Sequence, residues 1–269
     1  MRWLLCLLLL MADAGAASAE RILALSPHVC EILFAIGAGD DVVGGSEYCD
    51  YPAAAKALPR VATFNQVYVE AALQQRPTLA IVLNPAMKGL EALRQAGVRI
   101  ETSNPKSIAA VLDDIRRLGK ASGHEVEAGA LAEKLALRLR SLQQGRHGKR
   151  IRVFYEIWHQ PLMAVGGTGF LHDMLRQAGL DNVFDDVPLE GTRVTVESVI
   201  RVHPELIIVA GKDVNLVDRR SYWQQWLPDV RVMAADENTM HRPGPRIVDA
   251  LETFMHHIRA LPAEQQREK

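Results

Sequence analysis

The chain has 269 residues, with 31 lysines and arginines against 32 acids, and aromatics make up 6%. That near-neutral balance offers no basic face for a nucleic-acid partner and argues against an acidic disordered tail. The first residues, MRWLLCLLLLMADAGAASAE, combine Arg2, an apolar run from Trp3 to Met11 and the triplet Ala17-Ser18-Ala19. Together they read as a secretory signal peptide cleaved after Ala19, too short to span a bilayer. Asp13 interrupts the pattern, and Cys6 lies too early for a lipoprotein site. Removing 19 of 269 residues leaves 250, enough for two modest lobes with real cores. No later segment is long and apolar enough to cross a membrane.

RILALS (21–26) reads as a buried strand, followed by PHVCEILFAIG, where Ser26 is placed to cap a helix and Pro27 fits its first turn. Gly37 and Gly39 end that helix. DVVGG (41–45), TLAIVL (78–83) and VRIETS (98–103) are further apolar strands, with a helical stretch at 89–97. Continuous apolar strands alternating with helices predict a mostly parallel sheet covered on both faces. Cys30 and Cys49 are the two cysteines of the exported chain; they read as buried free thiols, with a single disulfide as the alternative.

The pattern then changes. Ser107 to Leu118 and His124 to Gln144 hold no strand; in the second stretch Ala128, Leu131, Leu135, Leu139 and Leu142 recur at helical spacing. An amphipathic helix there makes a stiff joint rather than a Gly/Ser linker. After the basic turn GRHGKR (145–150), RVFYEI is a strand, FLHDMLRQAG a helix, ELIIVA a strand, Tyr222 to Leu227 helical and VRVMAA a strand. Pro243-Gly244-Pro245 precedes a closing helix whose Ile247, Leu251, Phe254 and Ile258 share one face; the tail PAEQQREK is polar.

One string occurs nearly twice. VEAALQQRPTLAIV (Val69 to Val82) returns 127 positions later as VESVIRVHPELIIV (Val196 to Val209), and AGDDVV (38–43) is echoed by AGLDNV (178–183). The period is too long for a solenoid and indicates two similar lobes. Glu70 and Glu197, each in the first turn of its helix, suit the positive end of the helix dipole. As an equivalent pair they also suit a two-fold symmetric basic partner.

In open α/β sheets ligands bind beyond the carboxyl ends of the strands. The residues there are His28, Tyr48 and Tyr51 in SEYCDYP, Phe64 in TFNQ, Leu83 and Asn84, Trp158 and His159 in EIWHQP, and His241 and Arg242 in MHRPGP. Aromatics in loops around a cleft suit a flat or bulky organic ligand. There is no GxSxG elbow, GxGxxG or Walker loop, so no enzyme and no catalytic cofactor is expected. HExxH and CxxC are absent as well, so a dedicated metal site, which His28, His159 and His241 would have to build, is not expected.

Taken together, ILALSPHVCEILFAIGAGDDVVGGSEYCDYP, the paired VE…P.L.IV segments, the mid-chain helix, EIWHQPLMAVG and RPGPRIV resemble the substrate-binding proteins of ATP-binding-cassette importers for cobalamin and iron chelates. The resemblance covers nearly the whole exported chain. It implies a periplasmic α/β protein: two Rossmann-like lobes with mostly parallel sheets joined by one long α-helix, divided as 20–119, 120–147 and 148–269. It implies a monomer that holds cobalamin or a related corrinoid in the cleft with little lobe closure. It also implies that Glu70 and Glu197 dock onto the arginines of a membrane permease with its ATPase. Tyr51 and Phe64 match positions that hold the corrin. Leu83 or Asn84 replaces an expected aromatic, Asn238-Thr239 replaces an acid-aromatic pair, and Trp158 and His159 are additions. These departures keep haem, a ferric siderophore or a divalent metal as alternative ligands.

Overall fold

Short apolar runs pair into two sheets in a computed structural model that describes residues 20–144, 150–211 and 215–260. The first lobe contains β1 (Ile22–Ala24), α1 (Pro27–Ala35), β2 (Val42–Ser46), β3 (Arg60–Ala62), α2 (Val69–Gln74), β4 (Leu79–Val82), α3 (Leu90–Gln95) and β5 (Arg99–Thr102). Its strands are all parallel, in the order β3-β2-β1-β4-β5. Two long helices follow, α4 (Ile108–Ser122) and α5 (Glu125–Gln144). The second lobe contains β6 (Ile151–His159), β7 (Leu162–Val165), α6 (Gly169–Gln177), β8 (Leu180–Asn182), β9 (Gly191–Arg193), α7 (Val196–Val202), β10 (Leu206–Ala210), α8 (Leu216–Gln224), β11 (Arg231–Ala235), α9 (Glu237–Met240) and α10 (Ile247–Ala260). No helix among the described residues is long and apolar enough to cross a membrane.

The second sheet runs β11-β10-β6-β7-β9. Long β6 changes partner along its length: Ile151 to Val153 pair in parallel with β8, and Glu156 to His159 pair antiparallel with β7. The series β8-β6-β10-β11 thus repeats β2-β1-β4-β5, and both sequence echoes fall on equivalent elements. The duplication reaches the backbone where the residues differ. Arg76 and His203, each preceding the shared proline, are the two non-glycine residues with positive φ among the described residues, at 49° and 48°. Both end a helix by turning into the left-handed region, which a following proline helps to enforce by disfavouring the helical one.

Three apolar layers result. Leu23, Ala80 and Val82 pack under α2 and α3, and Phe154, Ile207 and Val209 pack under α7 and α8. The opposite strand faces, including Ile22, Ile81, Tyr155 and Ile208, share one continuous cluster with α1, α4, α5, α6 and α10. At the joint, Asp173 of α6 accepts the Ile108 N–H at 2.8 Å, capping α4 from the other lobe. Arg138 of α5 forks to Asp249 (2.6 Å) and Glu252 (2.7 Å) of α10.

Several expectations are corrected. Cys30 and Cys49 are not free thiols; they form a disulfide with Cα atoms 5.8 Å apart, because neighbouring parallel β1 and β2 bring the segments after them together. Ser26 sits at the N-cap of α1 without a cap bond, its Oγ instead accepting the Leu83 N–H at 2.9 Å. β3, β8 and β9 are additions to the expected strands, three residues each and paired on one side only. The second sheet is mostly parallel, as expected, with β7 and β9 as its antiparallel members. The helix expected at 222–227 is α8, which begins and ends earlier. Residues 1–19, most of the basic turn (145–149) and 261–269 of the tail lie outside the described residues.

Gly119 of α4 faces α5 so closely that an added Cβ would overlap Ala128 and lie 2.9 Å from the His124 carbonyl oxygen. Helix propensity alone would favour Gly119→Ala by about 1 kcal/mol. Backbone crowding reverses that sign, and urea unfolding of Gly119→Ala is expected to show a loss of about 1–3 kcal/mol.

Candidate binding site between the two lobes

Glu31 lies in the buried run of α1 and is 2% exposed. A carboxylate desolvated this far requires cations, and they come from the second lobe. Arg246 forks onto Glu31 (Nε–Oε2 2.8 Å, Nη2–Oε1 2.6 Å), and Arg242 Nη1 donates to Glu31 Oε1 at 3.2 Å. Arg242 also grips Asp50 through both carboxylate oxygens, at 2.5 and 3.1 Å. That contact holds the Asp50 carboxyl below the usual carboxylate range. The Arg246 guanidinium lies 4.1 Å from the Tyr51 ring centroid, a cation–π contact. The turn of Pro243-Gly244-Pro245 aims both arginines. A Cβ on Gly244 would be 3.5 Å from Glu31 Oε2, in ordinary contact with it. A second, exposed interlobe pair joins Lys106 to Glu190 at 2.6 Å; in open solvent it contributes little.

Around this clamp the predicted aromatics divide by lobe. Tyr48 (49% exposed), Tyr51 (47%) and Phe64 (59%) belong to the loops after β2 and β3, and Trp158 (53%) to β6. Trp158 and His159 are the last residues of β6 rather than beyond it; their rings stack with centroids 5.9 Å apart. Nearby, Glu156 Oε2 accepts from Arg219 Nη2 and Trp223 Nε1, both at 2.8 Å, tying α8 to β6. Leu83 is half-buried, and exposed Asn84 accepts the Ala86 N–H.

His28 does not present itself to a ligand, which corrects the expectation for it. It is 2% exposed, and burial pushes its pKa down to about 4. Its Nε2–H donates to Ser103 Oγ at 2.8 Å, and that hydroxyl donates to Asp114 at 2.5 Å. His241 is likewise pushed down to about 4 by burial. It accepts the Tyr155 hydroxyl proton at 2.8 Å, and burial raises the phenol's own pKa. Arg242 is 11% exposed and is taken up mainly by the clamp. Among the described residues, no group of three or more His, Cys, Asp or Glu side chains is arranged to hold a metal. Glu70 and Glu197 are exposed at the starts of α2 and α7. Hydrogen bonds from its own backbone N–H and from Thr195 hold the Glu197 carboxyl below its ordinary value.

Sequence reasoning missed Glu31, Asp50 and Arg246. The available signal was Glu31 itself, a lone carboxylate between Cys30 and Ile32 on a helix otherwise bound for the core. Two cavities lie elsewhere, about 730 Å3 at the far end of the first sheet near Arg99 and His124, and about 560 Å3 beside α9 and α10, and neither is lined by the exposed aromatics.

A family described as periplasmic binding protein matches residues 22–229. The chain is 30% identical, in an alignment of 271 positions, to a vitamin B12-binding protein of Vibrio vulnificus, covering 97% of each. It is similar to the crystal structure of the periplasmic vitamin B12 binding protein of Vibrio cholerae, with a TM-score of 0.78 and 29% identity over 90% of this chain and 97% of that one. A periplasmic heme-binding protein from Roseiflexus gives a TM-score of 0.74 at 25% identity, over 88% of this chain and 97% of that one. The two-lobe α/β architecture expected from the sequence is the fold of these proteins.

Glu31→Ala is expected to leave two largely buried guanidinium groups short of their anion and to lower the unfolding free energy by about 3–5 kcal/mol in urea melts. His28 and His241, at about 4 in the folded chain against about 6.5 unfolded, contribute stability that is complete above pH ~6.5 and is lost as pH falls toward 4. Thermal melts at pH 7 and pH 5 should therefore show the lower midpoint at pH 5, and His28→Gln should shrink the difference.

Proposed function

The chain belongs to the periplasmic binding protein family, and from that premise we propose that it captures cobalamin or a related corrinoid between its lobes and delivers it to the permease and ATPase of an ATP-binding-cassette importer. The family is a non-enzymatic component of transport, so the ligand is held and handed over unchanged. One observation carries the choice of ligand: exposed aromatics at the strand ends of both lobes accompany a clamp with no charge left over. Tyr48, Tyr51, Phe64 and Trp158 are about half exposed. The two guanidinium groups of Arg242 and Arg246 are met by two carboxylates, Glu31 and Asp50. A corrin is a broad macrocycle fringed with neutral amides, and it suits aromatic faces without surplus charge. A haem carries carboxylates that call for free cations.

Haem is nevertheless the second reading, with ferric siderophores beside it, because exposed Tyr48 and Tyr51 are of the type that ligates ferric iron. Tyr48, Tyr51, Phe64, Trp158 and His159 form the contact surface in this proposal. Arg242 and His241 act from behind it, and His28 supports α1. The naming of relatives at 30% identity as vitamin B12-binding proteins supports the corrinoid.

Export by cleavage after Ala19 and action as a monomer belong to the same reading. So does docking through Glu70 and Glu197. Both are exposed and occupy matched places in the repeat, and ionisation of Glu197 is favoured by its hydrogen bonds. A pair of carboxylates, one per lobe, suits a permease dimer that offers arginine at two symmetric positions.

Tryptophan-fluorescence titration with cobalamin, cobinamide, haem and a ferric siderophore is expected to show saturable binding of the corrinoids most tightly; a protein that ignores both corrinoids would overturn the ligand assignment. In reconstituted vesicles, Glu70→Ala with Glu197→Ala is expected to abolish uptake while ligand affinity stays within about twofold. A comparable fall in affinity would instead put these carboxylates in the cleft.

A further inference from the structure

The disulfide stands in an unusual relation to the interlobe clamp. Cys30 immediately precedes Glu31, and Cys49 immediately precedes Asp50. Arg242 binds both of these carboxylates, at 3.2 and 2.5 Å, and Arg246 reaches from Glu31 to the face of Tyr51, the next residue along. The two acids that receive the second lobe are therefore neighbours of a single covalent bond. Around it the loop after β2 is held further: Arg60 Nη1 donates to the carbonyl oxygens of Ser46 and Cys49, both at 3.0 Å. Gly45 leaves room for the bridge, since a Cβ there would come 2.9 Å from Cys49 Sγ.

We propose that the Cys30–Cys49 disulfide is a positioning element of the binding face: it fixes Glu31, Asp50 and Tyr51 as one unit, and so sets how the second lobe seats and how Tyr51 meets a ligand. Both cysteines are 0% exposed, which keeps the bond away from thiols in the folded protein and makes it a permanent tie rather than a redox switch. A guanidinium shared between two carboxylates tolerates only small displacements before a charge-assisted bond is lost. With the bridge cut, α1 still carries Glu31, but the loop carrying Asp50 and Tyr51 keeps only its polar ties. The effect on ligand rests on the reading of this face as the binding site; the effect on lobe seating does not.

Hydrogen exchange of the ligand-free protein separates the two. In Cys30→Ala with Cys49→Ala, amides of 47–51 and, across the cleft, of 241–246 are expected to exchange about tenfold faster, while β4 and β10 keep their protection. Asp50→Asn, with the bridge intact, is expected to reproduce the change at 241–246. Adding it to the cysteine-free protein is expected to change that segment no further, because both act through one contact. Cyanocobalamin is expected to bind the cysteine-free protein about tenfold more weakly. If the cysteine-free chain does not fold, Gly45→Ala displaces the bridge without cutting it and is expected to speed exchange at 241–246 about threefold. Unchanged exchange at 241–246 in the cysteine-free protein, or in Gly45→Ala where that is the variant read, overturns the proposal. Should the wild-type protein bind no corrinoid, the ligand assignment fails while the exchange data still decide the role of the bridge.

Discussion

A carboxylate held at 2% exposure inside an apolar helix is costly unless a cation lies against it. Glu31 imposes that demand on the whole molecule, because the cations come from Arg242 and Arg246, more than two hundred residues further along. The electrostatic requirement of one lobe is satisfied by the other. A clamp of this kind fixes orientation more than it adds stability. Desolvation of the charges offsets much of their attraction, whereas removing one partner is costly. Interlobe geometry follows from it: the turn that carries the arginines and the loop of Asp50 and Tyr51 are held in mutual register.

The clamp lies over a shared apolar layer. Strand residues of both sheets and helices α1, α4, α5, α6 and α10 form one cluster, while α2 with α3 and α7 with α8 cover the outer faces separately. A hinge needs a place where few contacts cross, and this layer is continuous where a hinge would be. Cross-lobe capping of α4 by Asp173 and the Arg138 fork between α5 and α10 act in the same sense. These ties hold the two lobes in one fixed relation, and the entropy of setting it is met during folding.

The sequence made the architecture legible because buried parallel strands leave apolar runs and the duplication leaves a repeated string. LAIV and LIIVA are β4 and β10, and the weaker AGDDVV echo marks β2 and β8 as counterparts. The failures have physical causes. RVA and GTR form edge strands through backbone pairing that their side chains do not announce, and residues near Tyr222 join a helix capped by Asn215, seven residues before the expected segment. In the site, half-exposed aromatics were legible as loop residues between apolar runs. His28 was not, because following a strand does not say whether a side chain turns outward or toward Ser103. The clamp was invisible, and the disulfide stood only as an alternative, for one reason: each joins residues whose proximity is created by the fold.

The continuous inner layer also bears on the origin of the repeat. Two copies of a unit that once buried its own core would each be expected to stand alone. Here the helices that cover the inner face of one sheet also pack against helices of the other. A half separated from its twin would expose a broad oily face to water. The repeated string therefore marks equivalent places in the two lobes but not a line along which they come apart, since each half covers part of the other's inner face.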